Sequence, residues 1–195
     1  MSGIVGGSNN RGSGLIANLG TDGQVMTSAG LGLRQVYEAV SSGGTTTGFA
    51  VGLSTALTNV TGDGTQYSWT AATFGELYDA GSNFASGTFT APVTGKYIFV
   101  VHFYTNSITS AHTMCQTQLT TSNRTYTSSK FNPYNFATGT GSDLGFQDTI
   151  IADMDACDTA YITAKFENGA KSVDYYSSGS AGTTYNYFIG ALVHE

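Results

Sequence analysis

The sequence has 195 residues, 7 basic and 13 acidic, with a formal net charge of −6, and only 10% of its residues are charged, against roughly 25% in an average soluble domain. Glycine reaches 26 residues, proline falls to 2 and aromatics make up 12%, so the chain has the apolar content for a core and lacks the charge density of a disordered tail. So few cations under a net negative charge cannot neutralise many phosphates, which argues against a nucleic-acid partner, and the length suits one ordinary domain with a short appendage.

Met1-Ser-Gly-Ile-Val-Gly-Gly7 carries no basic region and no apolar run long enough for a signal peptide or a membrane span. The expectation is synthesis and retention in a cytoplasm, with no membrane insertion. Gly20-Thr-Asp-Gly23 is a turn signal, Gln24 to Ser28 suits a short strand, Ala29-Gly-Leu-Gly32 is a second turn, and Leu33 to Val40 can pair back. Two such strands are not stable alone, so this segment is expected to trimerise, dock or bind. Ser41-Ser-Gly-Gly-Thr-Thr-Thr47 reads as a linker, dividing residues 1–45 from a body at 46–195.

In the body the apolar period is two. Gly95 to Tyr104, Thr149 to Met154, Thr159 to Phe166 and Tyr185 to Val193 are rich in β-branched and aromatic residues and bounded by Gly, Asn, Asp and Ser, the pattern of many short strands. The fold class is all-β: a sandwich, jelly roll or barrel. On strand 95–104, Tyr97, Phe99, Val101 and Phe103 share one face, and Ile98, Val100, His102 and Tyr104 share the other. Both faces are largely apolar, whereas an ordinary antiparallel strand shows one side to water. A neighbouring subunit is the expected cover for the second face, with His102 packed there as a neutral ring.

The stretch Tyr126-Thr-Ser-Ser-Lys-Phe131-Asn-Pro-Tyr134-Asn-Phe136 reads as a loop mixing aromatics with amides, a composition suited to sugar or protein recognition. The alternative is that Tyr126, Phe131, Tyr134 and Phe136 pack on the sandwich or an adjacent subunit. Trp69, alternating with Tyr67, reads as core. Asp153, Asp155 and Asp158 offer carboxylates that could chelate calcium, but the run lacks the Gly and terminal Glu of a calcium loop. Solvated turn carboxylates are the simpler reading, and no cofactor is expected. Cys115 and Cys157 are too far apart for a CxxC site and read as two reduced, half-buried thiols, a bridge between neighbouring strands being the lesser reading. Gly95-Lys96 is no phosphate loop, since Tyr97 stands where Ser or Thr is needed. His102, His112 and His194 have no carboxylate at triad or zinc spacing, so no nucleophile and base can be named and the chain reads as non-enzymatic.

Tyr78-Asp79 followed by Gly87-Thr-Phe89-Thr-Ala-Pro92-Val-Thr-Gly95-Lys-Tyr97-Ile-Phe99 resembles the central signature of the globular-head family of the complement recognition subunit, which shares its jelly roll with tumour necrosis factor. Gly48-Phe49-Ala-Val51 resembles the first strand of that head, and Phe188-Ile-Gly190-Ala-Leu192 its last. The family's Gly-Asp before the long penultimate strand becomes Cys157-Asp158, a departure that bears on the local turn. The resemblance covers residues 46–195 and implies a homotrimeric jelly roll of about ten strands, with Pro92 and Gly95 in a turn and Phe89, Tyr97 and Phe99 inside.

Leu19-Gly-Thr-Asp-Gly-Gln-Val-Met-Thr-Ser-Ala-Gly30 resembles a Gly-Thr-x-Gly-Gln-Val-Leu-Thr-Ser segment of bacteriophage fibre and appendage proteins. The two resemblances together imply a non-enzymatic virion structural protein, a capsid decoration or a tail or head fibre component. Its expected partners are two further copies of itself and, through residues 1–40, other virion proteins, with a host-surface glycan or protein left open. The alternative is a soluble, lectin-like trimeric binding module of the complement-head type.

Overall fold

In a computed structural model that describes residues 24–27, 36–39, 47–139, 141–177 and 185–194, the chain divides into two units, Met1–Thr45 and Thr46–Glu195. In the first, β1 (Gln24–Thr27) pairs antiparallel with β2 (Val36–Ala39), from Gln24 opposite Ala39 to Thr27 opposite Val36. Both strands fall inside the segments expected to pair. The flanking turn signals and most of the linker lie outside the described residues, as does the phage-like segment apart from Gln24–Thr27.

The second unit contains β3 (Gly48–Leu53), β4 (Leu57–Thr61), β5 (Tyr67–Ser68), β6 (Phe74–Ala80), β7 (Phe84–Ala85), β8 (Thr88–Thr90), β9 (Gly95–Asn106), β10 (Met114–Thr121), β11 (Thr125–Phe131), β12 (Leu144–Met154), β13 (Thr159–Glu167), β14 (Val173–Tyr175) and β15 (Tyr187–His194). One sheet runs β6-β3-β15-β9-β12 and the other β7-β8-β13-β10-β11, all antiparallel. These ten strands form the jelly-roll sandwich. Of the rest, β14 pairs with the end of β9 and with β4, and β5 pairs with β13. Among the described residues the only helical pieces are two 3-10 turns, Trp69–Ala71 and Pro133–Asn135.

Alternation on β9 sends Tyr97, Phe99, Val101 and Phe103 into the core, where all four are buried. The Phe49 ring lies 4.8 Å from Phe84, 5.0 Å from Phe89 and 4.9 Å from Phe188. Trp69, fully buried as its pattern predicts, stands edge-on to Phe103 at 5.0 Å. Each such ring removes roughly 150–250 Å² from water, worth several kcal/mol at about 25 cal/mol per Å². The glycine of the last-strand motif has a steric reason: a Cβ on Gly190 would stand 2.4 Å from the Phe49 ring and 2.9 Å from that of Phe99.

The signature at 87–99 builds the β8–β9 turn, with Phe89, Tyr97 and Phe99 buried. The Tyr97 hydroxyl donates to the Val93 carbonyl at 2.7 Å. Beside it, the Cys157 N–H donates to the Ala91 carbonyl at 2.7 Å and the Ala91 N–H to that of Asp158 at 2.8 Å. Where the family has glycine, Cys157 holds a φ of +76°.

Candidate assembly face and binding loop

Residues opposite each other in register share a sheet face, so the partners of the outward residues of β9 follow across five strands. One row is Ile151, Ile98, Ala191, Gly48 and Ala80. The next is Thr149, Val100, Ile189, Ala50 and Tyr78, and the third is Gln147, His102, Tyr187, Gly52 and Gly75. No Asp, Glu, Lys or Arg occurs in the three rows. Ile98, Val100, His102 and Tyr104 are half-buried by their neighbours, while Tyr78 and Ile151, on the two edge strands, are 49% and 60% exposed. Three of the four residues expected at an interface, Ile98, Val100 and His102, are therefore the central column of a wider uncharged face, and Tyr104 lies beyond its last row.

His102 stacks on Tyr187 at 5.1 Å with the rings 10° from parallel. Its Nδ1–H donates to the Tyr185 carbonyl, since a carbonyl can only accept. The Tyr187 hydroxyl reaches the Gln147 side-chain oxygen at 3.0 Å, so β15 and β12 join hands across His102. Next to them the rings of Tyr104, Tyr176 and Tyr185 meet at 5.2, 5.1 and 5.8 Å. The Tyr104 hydroxyl donates to Asp143 at 3.4 Å. Burial first, and then the Asp143 carboxylate, push the Tyr104 phenol above its ordinary range.

The stretch read as a loop is strand as far as Phe131, because Thr125–Phe131 pairs with β10. Its aromatics split accordingly. Tyr126 and Phe131 pack against the core, Phe131 standing edge-on to Phe146 at 5.1 Å. Tyr134 and Phe136, on and after the 3-10 turn, are 48% and 62% exposed. The Asn132 side chain caps that turn by accepting the Tyr134 N–H at 3.1 Å. Two of the four therefore rest partly buried against the sandwich, and the other two are exposed.

Asp148 was not singled out by its sequence, although it falls on the inward phase of β12 with Ala152 and Met154. It is buried, and its carboxylate accepts hydrogen bonds from the hydroxyls of Thr117, Ser128 at 2.8 Å, and Ser129. A carboxylate of one sheet is so tied to β10 and β11 of the other. Asp158 accepts the N–H of Asp155 at 2.9 Å and the side-chain amide of Asn123, in keeping with a turn carboxylate. Among the described residues no three His, Cys, Asp or Glu side chains converge so as to hold a metal ion.

Both cysteines are free, but they are not alike: Cys115 is buried and Cys157 exposed, rather than both half-buried. Burial, and then the Asp148 carboxylate, push the Cys115 thiol far up. His112 is also buried. Its Nδ1 accepts the N–H of Thr109 at 2.9 Å, which leaves Nε2–H to donate to the Ala170 carbonyl at 3.0 Å. It fastens two loops and touches no reacting group.

The chain matches no protein-family model and no curated protein. Among solved structures, murine APRIL at pH 5.0 aligns with a TM-score of 0.50 at 7% identity, over 76% of this chain and 99% of that one. Murine APRIL at pH 8.0 gives 0.50 at 8% identity, over 75% and 98%. The globular domain of the zebrafish complement 1qA protein gives 0.44 at 18% identity, over 75% and 97%. Likeness at these identities concerns the fold alone. The body has the TNF-like jelly roll.

Proposed function

We propose that three copies of the jelly roll assemble through the uncharged face centred on Val100, and that the assembly is a structural component of a bacteriophage particle. In this reading it is a capsid decoration or fibre component, held to other virion proteins by residues 1–40. The observation that carries the assembly is the three rows without a charged residue, flanked by the exposed Tyr78 and Ile151. A contiguous apolar patch on a sheet face marks an interaction surface, and the family resemblance implies a homotrimer. The particle role is supported by the phage-like segment from Leu19 to Gly30. A lectin-like trimeric module is the second reading, favoured by the exposed Tyr134 and Phe136.

Light scattering of the full chain tests the trimer, and Val100→Asp tests the face. A carboxylate buried there without a partner costs several kcal/mol by order of magnitude, so trimer yield falls while strand content by circular dichroism persists. A stable wild-type monomer at micromolar concentration overturns the assembly. Deletion of residues 1–40 is expected to leave the body trimeric and to abolish incorporation into particles. Undiminished incorporation removes the anchor and leaves the lectin-like module standing.

A further inference from the structure

A cleft of about 170 Å³ lies between the β10–β11 turn and the end of β12, lined by Asn123, Arg124, Tyr126, Asp153, Met154 and Asp155. It gathers residues whose sequence positions gave no reason to associate them: an aromatic of β11, two carboxylates of the aspartate run, and an arginine from the turn between. Met154 is buried, and the Arg124 guanidinium stands over the Tyr126 ring, 5.9 Å from its centre. Among the described residues the Asp153 and Asp155 carboxylates and the Arg124 guanidinium make no hydrogen bond or ion pair within the chain. Asn123 engages its amide nitrogen on Asp158, which leaves its amide oxygen as an acceptor.

The charges are of both signs, and this restricts the ligand. A simple ion of either sign meets a like charge in the cleft. A hydroxyl group does not, because it donates to a carboxylate and accepts from a guanidinium at once. Adjacent hydroxyls on one ring can therefore satisfy Asp153, Asp155 and Arg124 together, while the C–H face of the ring covers what Tyr126 leaves half-exposed. Two carboxylates against one guanidinium disfavour an acidic sugar. The volume is below the about 300–1,000 Å³ of pockets that enclose drug-sized ligands, so it suits one ring. We propose that this cleft binds a single neutral sugar ring. The inference stands apart from the trimer and the particle, since every group it uses belongs to one chain.

Saturation-transfer NMR on the full chain tests it, with glucose, galactose, mannose and N-acetylglucosamine each at about 10 mM, above the about 1 mM dissociation constant expected of a small open site. At least one sugar is expected to receive saturation. Arg124→Ala and Asp153→Asn are each expected to weaken that binding by about tenfold or more, because hydrogen bonds to charged groups are the strong ones. Both variants should melt like the wild type. The β10–β11 turn uses only the backbone of Arg124, through Thr121, and among the described residues the Asp153 carboxylate holds no hydrogen bond or ion pair. N-acetylneuraminic acid, the acidic control, should respond less than the neutral sugars. No response from any neutral sugar overturns the proposal, as does binding that survives both substitutions. Glycine giving the only response would assign the cleft to zwitterions and overturn it equally.

Discussion

The side chain of Asn186 takes both backbone hydrogen-bonding groups of Tyr104: its Oδ1 accepts the Tyr104 N–H at 2.8 Å, and its Nδ2 donates at 2.8 Å to the carbonyls of Tyr104 and Tyr176. Along this edge of β9, pairing with β15 reaches as far as His102 and pairing with β14 starts at Thr105. Asn186, fully buried, fills the gap as a side chain standing in for a strand.

Asn186→Ala leaves the Tyr104 N–H and the Tyr176 carbonyl without the amide, while the Tyr104 carbonyl keeps the Tyr176 N–H at 3.2 Å. Each group that stays buried and unpaired costs about 1–3 kcal/mol, so the melting temperature is expected to fall by several degrees. Asn186→Asp should be worse, because it turns an acceptor toward two carbonyl oxygens. An alanine variant melting within a degree of the wild type would show that water replaces the amide.

Cys157 sits at a φ of +76°, where a residue with a Cβ is disfavoured by roughly 1–2 kcal/mol. Cys157→Gly relieves that strain against a glycine entropy cost of roughly 0.5–1 kcal/mol. A rise in melting temperature of about 2 °C is expected. Cys157→Ala serves as the control, since it removes the thiol and keeps the strain. Equal gains from both substitutions would assign the effect to the thiol.

Among the described residues the buried Tyr175 hydroxyl has no hydrogen-bond partner, so Tyr175→Phe is expected to hold or raise stability, by about 1 kcal/mol at most. Burial pushes the phenol of Tyr175 and the thiol of Cys115 upward. The unfolded chain ionises these groups from about pH 8.5 for the thiol and about pH 10 for the phenol. Their contribution is therefore complete below about pH 8.5 and is lost as pH rises toward the folded values. Melting temperature measured against pH should fall in that range, and above about pH 10 the slope should be shallower in Tyr175→Phe. Identical slopes would mean that Tyr175 does not control alkaline unfolding.

Tyr134→Ala truncates an exposed ring and should change stability by less than about 0.5 kcal/mol. Phe131→Ala should cost a few kcal/mol, approaching the about 3–5 kcal/mol of a core phenylalanine. Thermal melts of the pair check this. Adsorption to host cells, assayed beside the melts, is expected to weaken in Tyr134→Ala if the 3-10 turn carries recognition. A lower melting temperature with unchanged adsorption would assign the turn to assembly.

Much of this was legible in the residues themselves. The period of two identifies strands, and the resemblance carried by Gly87 to Phe99 implies that Phe89, Tyr97 and Phe99 lie inside, where they are buried. The local pairing of β1 with β2 followed from turn signals close by in the chain. The partners of β9 did not: alternation says which face a residue occupies and not which strand lies beside it. Tyr187 beside His102, and Arg124 sharing a cleft with Asp153, are set by long-range register. Composition alone also could not tell Phe131, held in a paired strand, from Phe136, five positions on and exposed. The one departure from the family motif, Cys157, did carry its meaning, since the turn it occupies has the backbone that glycine prefers.

The strand order also sets a schedule for synthesis. Among the described strands β15 is the last to leave the ribosome, yet it lies between β3, the first strand of its unit, and β9. Until residues 187–194 have been made, the nascent body carries two open edges with no strand to join them. Pairings that span most of the body close slowly, and open edges invite wrong partners. The hairpin of β1 and β2 needs no such wait and can form while translation continues. The body gains its full sheet only once residues 187–194 have emerged, so conditions that slow elongation between β9 and β15 should raise its aggregation before they impair the finished protein.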